Sequence, residues 1–180
     1  MVATGNENVP PGTAGRPAPY LVRPAVPGDV PALRALGERV VADTYERIAG
    51  PDYVRYMLDR WWQPEQLAES MARTTTFVAE AAGRVVGTAN LGQTTDGVPV
   101  MWKLYVDPAM HGRGLGSALL AAVLAALPPG ADRLALSHLA GNTRAAEFYR
   151  RRGFRPWRIE PDPDGWPDQV WLTLPATGGG

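Results

Sequence analysis

Apolar and polar residues alternate along several short runs of this chain, and between them the apolar positions fall instead at intervals of three and four. The first alternating run, Tyr20 to Val26, reads as a strand. Behind it Asp29 is placed to cap a helix that has Pro31 near its start. Helical spacing resumes from Asp43 to Met71 but is broken at Gly50-Pro51 and at Pro64, which predicts two or three short helices. From Thr75 to Gln93 the pattern alternates, turns at Ala82-Gly83 and alternates again, a hairpin, and Val98 to Val106 adds a third consecutive strand. A strongly apolar helix over Leu115 to Leu127 ends at "PPG", and Arg133 to Leu139 returns as a strand. "GNTRAAEFYRRRGF" reads as a capped helix stopped by Gly153, and Phe154 to Glu160 with Gln169 to Pro175 predicts a closing hairpin.

Residues 1–18 show no such period and are rich in Pro, Gly and Ala, so they are expected to form a flexible tail ahead of a domain spanning 19–176. Composition removes several chemistries. Eighteen basic residues balance eighteen acidic ones, so the basic footprint of a nucleic-acid binder is missing. With no cysteine and two histidines there is no disulfide framework, and no metal site is expected. The first residues lack the basic and apolar regions of a signal peptide, and the longest apolar helix is too short to span a bilayer, so no membrane partner and a cytoplasmic location are expected.

"VDPAMHGRGLGSALL" places glycines at 112, 114 and 116 between a strand and a helix. Glycines are costly there unless something approaches the backbone, and a helix start with unpaired amides favours an anion. The spacing is Gly-x-Gly-x-Gly, without the third glycine position and following acid of a dinucleotide fold, and without the Gly-Lys-Ser/Thr of a Walker loop. About thirty residues on stands "NTRAAEFYRRRGF". Together the two stretches resemble the paired signatures of GNAT-type N-acetyltransferases, and the resemblance covers about residues 20 to 175. It implies an α/β GNAT-like fold, a central mixed twisted sheet of about six or seven strands flanked by helices. It also implies acetyl-CoA as the coenzyme.

In such a protein the backbone amides of His111, Gly112, Arg113, Gly114, Leu115, Gly116 and Ser117 would hold the coenzyme pyrophosphate. His111 stands where the family usually has Arg or Gln, a mild departure because any non-proline residue supplies an amide. Leu104, Tyr105 and Val106 on the preceding strand, with Asn142, Ala145 and Phe148, would line the rest of the coenzyme. The resemblance gives Tyr149 the catalytic role, its hydroxyl protonating the departing thiolate; without it Tyr149 reads as a half-buried helix aromatic. Asn142 reads equally as a helix N-cap. Arg150 to Arg152 read first as a solvated face, with the 3′-phosphate of the coenzyme as the alternative contact. The strand position where many relatives carry an acidic base holds Trp102 and Lys103, so the general base is unassigned. His138 is the substitute on offer, since histidine ordinarily titrates near neutral pH, although a lone strand histidine is commonly structural.

Asp43, Tyr45 and Glu46 belong to the early helical segment that lines the acceptor site in this fold. Between Asp43 and Glu69 six acids (Asp43, Glu46, Asp52, Asp59, Glu65, Glu69) outnumber three arginines, which predicts a cationic acceptor. "ADTYERI" and "QPEQLAESM" resemble stretches of bacterial spermine/spermidine acetyltransferases, so a small polyamine-like primary amine is the first expectation for the partner. An aminoglycoside, a protein N-terminus, a non-catalytic acyl-CoA sensor and a homodimer stay open. Trp61 and Trp62 read either as core or as acceptor wall.

Overall fold

The computed structural model describes residues 20–176, so the expected tail over 1–18 lies outside the described residues. Seven strands form one mixed sheet: β1 (Leu21–Pro24), β2 (Thr75–Ala81), β3 (Arg84–Gln93), β4 (Pro99–Val106), β5 (Arg133–Leu139), β6 (Arg155–Glu160) and β7 (Gln169–Pro175), in the order β1-β2-β3-β4-β5-β7-β6. Every neighbouring pair is antiparallel except β4 and β5. That pair is joined across the sheet face by helix α3 (Leu115–Ala125), as a parallel crossover requires.

Helices α1 (Val30–Trp61) and α2 (Pro64–Arg73) cover one face of the first four strands. The run Val30–Trp61 is two helical segments that meet at a kink, so with α2 the segment holds three helical pieces, broken where Gly50-Pro51 and Pro64 predict. The kink is at Gly50, whose φ of 81° and ψ of 174° no helical residue adopts, and the following Pro51 disfavours a helical conformation before it. Leu33, Leu36, Val40 and Val41 of α1 pack with Leu67 of α2 and with Val78 and Val85 of the sheet. Trp62 sits in the middle of this core and is fully buried, while Trp61 is exposed beneath Arg60, so the tandem tryptophans are core and surface, and neither walls the acceptor side. Trp62 fits because residue 37 is glycine: a Cβ there would stand 2.3 Å from Trp62 Cε3.

The opposite face is covered by α3 and by α4 (Thr143–Arg150), whose Leu115, Leu119, Leu120, Val123, Tyr149 and Phe148 pack onto Ala79, Ala89, Met101, Leu134 and Leu136. Asp29, expected as a side-chain cap, instead receives two guanidinium hydrogen bonds from Arg23 at 2.8 and 2.9 Å and the Val26 amide at 2.8 Å. These bonds, Arg23 foremost, hold its carboxyl below the usual carboxylate range against the opposing effect of burial.

Two irregularities open the sheet. Asn90 pairs with Lys103 and Leu91 with Met101, so Trp102 is the extra residue of a β-bulge. Beyond the bulge the parallel pairing stops: only Val100 with Ala135 and Met101 with Leu136 join β4 to β5. The two strands then part, and the wedge between them opens into a large cleft.

Candidate active site

The cleft has a volume of about 1110 Å³ and is bounded by β4 and β5, the glycine loop, one face of α4 and the middle of α1. Its floor follows from strand geometry. Lys103 donates its amide to the Asn90 side chain at 2.8 Å and Asp107 donates to Val86 at 2.8 Å, both on the β3 side. Because backbone polar groups alternate sides along a strand, the amide and carbonyl of Tyr105 also face β3, whereas those of Leu104 and Val106 face the cleft. Of the three strand residues picked out in the sequence, two offer backbone groups and the third offers its side chain: Tyr105 lines the cleft with its hydroxyl 2.7 Å from that of Tyr45.

The glycine loop closes one end. Gly114 has φ 84° and ψ −1°, a left-handed turn that lets the chain swing from the loop directly into α3. Ala118 is the first residue bonded within the helix, to Gly114 O at 3.0 Å, so the amides of Leu115, Gly116 and Ser117 have no helical partner. Gly116 serves a different purpose from the one its place in the run suggests: a Cβ there would meet Phe148 at 3.0 Å, so it permits α3 to sit against α4. Arg113 is exposed and does not border the cleft. Asp107 anchors the loop, receiving Arg39 Nε of α1 at 2.7 Å and the Ala109 amide at 3.1 Å.

On α4, Asn142 is the N-cap, its Oδ1 accepting the Ala145 amide at 3.1 Å, which leaves its amide nitrogen for other partners. Arg144, Phe148 and Arg152 recur every four residues and, with Ala145 and Tyr149, form the stripe that faces the cleft. Arg152 stacks on the Phe148 ring at 3.5 Å and donates to the Ser117 hydroxyl at the start of α3. The arginine run is therefore split between roles: Arg151 pairs with Glu147 on the outside, and Arg152 belongs to the cleft. Arg144 was not singled out in the sequence; its spacing of four from Phe148 on a helix that carries the site is the signal that finds it, and Arg152 continues that spacing just past the end of α4.

Tyr149 is 7% exposed and also borders the cleft. Burial pushes its phenol well above its ordinary value, with Tyr45 adding to the rise and Arg152 opposing it. Such a group stays protonated throughout the neutral range. His138 lines the cleft, and its Nδ1 donates to the Leu139 carbonyl at 3.0 Å, which leaves Nε2 with the free lone pair. Asp43 and Tyr45 line the cleft, but Glu46 is exposed and does not. Of the six acids counted along the sequence, Asp43 alone borders the cleft; Asp52 and Glu69 pair with Arg55 and Arg73 on outer helix surfaces. Three arginines, Arg47, Arg144 and Arg152, line it with Asp43. The strand position lacking an acid holds Trp102, which projects from the bulge into the cleft, and Lys103, which turns to the other core with Nζ 5.6 Å from the Trp62 ring.

Residues 72–156, the stretch that holds the parting strands and both signature segments, match the acetyltransferase (GNAT) domain family. An N-acetyltransferase of Mycobacterium bovis, itself uncharacterised, is 32% identical over 130 residues, spanning 71% of this chain and 83% of that protein. The chain belongs to the GNAT family of N-acetyltransferases. A mycothiol acetyltransferase of Thermobispora bispora is 32% identical over 163 residues, 82% of this chain but 52% of that larger protein. The fold agrees with that of GNAT structures: the PaiA N-acetyltransferase of Thermoplasma acidophilum, solved in complex with coenzyme A, superposes with a TM-score of 0.73 over 87% of this chain and 98% of its own, at 17% identity. Among the described residues, no helix of this GNAT protein is long and apolar enough to cross a membrane.

Proposed function

We propose that the protein transfers an acetyl group from acetyl-CoA directly to a primary amine of a small cationic acceptor, with a polyamine-like molecule as the first candidate. The observation that carries this reading is the cleft between the parted strands, with unpaired amides of Leu115, Gly116 and Ser117 at one end and the protonated Tyr149 hydroxyl in its wall. Those amides, with Arg152 beside Ser117, suit a pyrophosphate. The backbone groups of Leu104 and Val106 and the side-chain amide of Asn142 suit the amide-bearing arm of the coenzyme. Acetyl-CoA supplies the activated acyl group as a thioester.

The remaining work falls to side chains. Tyr149 holds a proton at its hydroxyl for the departing sulfur, and its burial keeps that proton in place at neutral pH. His138 Nε2 is the free lone pair that borders the cleft, so we assign it to receive the proton of the amine. Asp43 is the carboxylate available to hold a cationic group of the acceptor.

Relatives named as mycothiol acetyltransferases favour a second reading in which the acceptor is of the mycothiol type. One experiment separates the readings: thiol release from acetyl-CoA with a panel of polyamines, aminoglycosides, amino acids, N-terminal peptides and a mycothiol-type amine, beside calorimetric binding of the coenzyme. Turnover with a polyamine and not with the others supports the first reading, and turnover with the mycothiol-type amine alone supports the second. Tight coenzyme binding with background thiol release for every amine would point to an acyl-CoA sensor, and no binding at millimolar coenzyme would remove both.

A further inference from the structure

Three side chains join the two ends of the cleft. Arg144 Nη1, on the first turn of α4, donates to Asp43 Oδ2 of α1 at 3.0 Å and lies 3.3 Å from His111 Nδ1. The other ring nitrogen of His111, Nε2, is 3.0 Å from the Val106 carbonyl. A carbonyl only accepts, so His111 carries its hydrogen on Nε2 and presents a lone pair to the guanidinium. Arg144 therefore touches the residue that opens the glycine loop and, through the same nitrogen, the one carboxylate on the acceptor side. Among the described residues no other ion pair ties α1 to α4.

This pair is poorly suited to holding the fold together. The side chains are 66% and 35% exposed, and an ion pair so solvated contributes little stability. It is well suited to exchange, because a solvated guanidinium gives up a carboxylate at small cost when another cation or another anion competes. Both competitors belong to the proposed reaction: a pyrophosphate at the Leu115 to Ser117 amides, which begin four residues beyond His111, attracts Arg144, and an acceptor ammonium fits Asp43. Arg47, one turn along α1 from Asp43 and also lining the cleft, has no acidic partner among the described residues and keeps the mouth positive while Arg144 stays in place.

We propose that Arg144 couples coenzyme binding to acceptor binding, pairing with Asp43 until the coenzyme phosphates draw its guanidinium toward the glycine loop, which frees Asp43 for the ammonium of the acceptor. The inference rests on the acetyl-transfer reading for the identity of the coenzyme and deepens it by making selection of a cationic acceptor depend on the coenzyme. Coupling of this kind is reciprocal, so each ligand tightens the other by the same factor.

Calorimetric titration of butane-1,4-diamine into the full chain, with and without saturating coenzyme A, tests it for the parent, Arg144→Gln and Asp43→Asn. Coenzyme A carries no acetyl group, so binding is read without turnover, and thiol release from acetyl-CoA is measured separately; loss of turnover alone would count against the transfer reading and leave the coupling standing. In the parent the diamine should bind roughly threefold to tenfold more tightly once coenzyme A is present. Arg144→Gln should bind it equally well in both conditions, near the tighter parent value, and Asp43→Asn should bind it weakly in both. Thermal melts confirm that the variants fold. The proposal is overturned if Arg144→Gln keeps the parent coupling, if it loses coenzyme affinity with no change toward the diamine, or if the diamine binds the parent in neither condition.

Discussion

Asn142 shows that one side chain has room for both readings its identity leaves open, and Tyr149 carries a proposed role that a single substitution tests. Asn142 caps α4 through Oδ1 while its amide nitrogen stays free, so cap and ligand contact are compatible in one side chain. For Tyr149, burial pushes the phenol above its ordinary value, so it keeps the proton that the proposed donor role requires. Tyr149→Phe removes one oxygen and leaves the packing against Phe148 and Phe154, whose ring centroids lie 5.1 and 5.3 Å away. The variant should lose about 100-fold in single-turnover rate at saturating acetyl-CoA while coenzyme affinity holds. A rate within about twofold of the parent would take the catalytic role away from this tyrosine. Both residues stand in a motif of local spacing, so the sequence offers them as candidates, and both border the cleft. Arg144 was not found there, since its partner Asp43 is 101 residues away, and the sequence could not tell Arg152 from Arg150 and Arg151, since its partner Ser117 is 35 residues away.

Among the elements, the break inside α1 is legible where Gly50-Pro51 stands: Gly50 leaves the helical conformation and a second helical segment starts from Pro51. What the sequence does not give is the angle between the two segments, which packing sets: Tyr53 beyond the kink is buried against Tyr45 before it, with ring centroids 5.4 Å apart. A second glycine of α1 makes a sharper test. Replacing an exposed helical glycine with alanine ordinarily gains about 1 kcal/mol. At Gly37 the added Cβ would stand 2.3 Å from Trp62 Cε3 and 2.5 Å from Cδ2, against a ring that is fully buried. Overpacking costs about 1–3 kcal/mol, so Gly37→Ala should be net destabilising by up to about 2 kcal/mol. Urea unfolding checks the sign, and a stabilised variant would mean that Trp62 has room to shift. The strands lie close to where alternation places them, although the edge strand β6 is exposed at every position and is held by its pairing with β7.

Taken as a whole, the molecule has no net charge along its sequence, but its charges are not evenly placed. The acid excess of 43–69 was read as a field around the acceptor; helices distribute it over several faces, and the cleft receives Asp43 alone. A count along the chain cannot see that. Lys103, the sole lysine, was likewise unreadable as buried. Burial pulls its ammonium down to about 8 from 10.5. Above the upper value neither state holds the proton; between the two the unfolded chain takes it up and the folded one does not. Stability therefore falls as pH drops through that window and levels off below it. Lys103→Met removes the dependence and should be more stable by about 1–2 kcal/mol near pH 7, after allowing for the lost contact with Trp62. Denaturant midpoints at about pH 7 and about pH 10 measure both effects, and a variant weaker than the parent near neutrality would show that the ammonium is solvated where it lies.

The parting of β4 from β5 also sets a clock for amide hydrogens. Tyr105 donates toward β3 and exchanges only when that ladder opens, whereas Leu104 and Val106 face the wedge, with no neighbouring strand to hold them. Adjacent residues on one strand are thus expected to differ widely in exchange lifetime, slow at 105 and fast at 104 and 106. A molecule lying along the wedge would slow the fast pair and leave the slow one unchanged, so the alternation itself, read residue by residue along β4, reports on which side of the strand a ligand has come to rest.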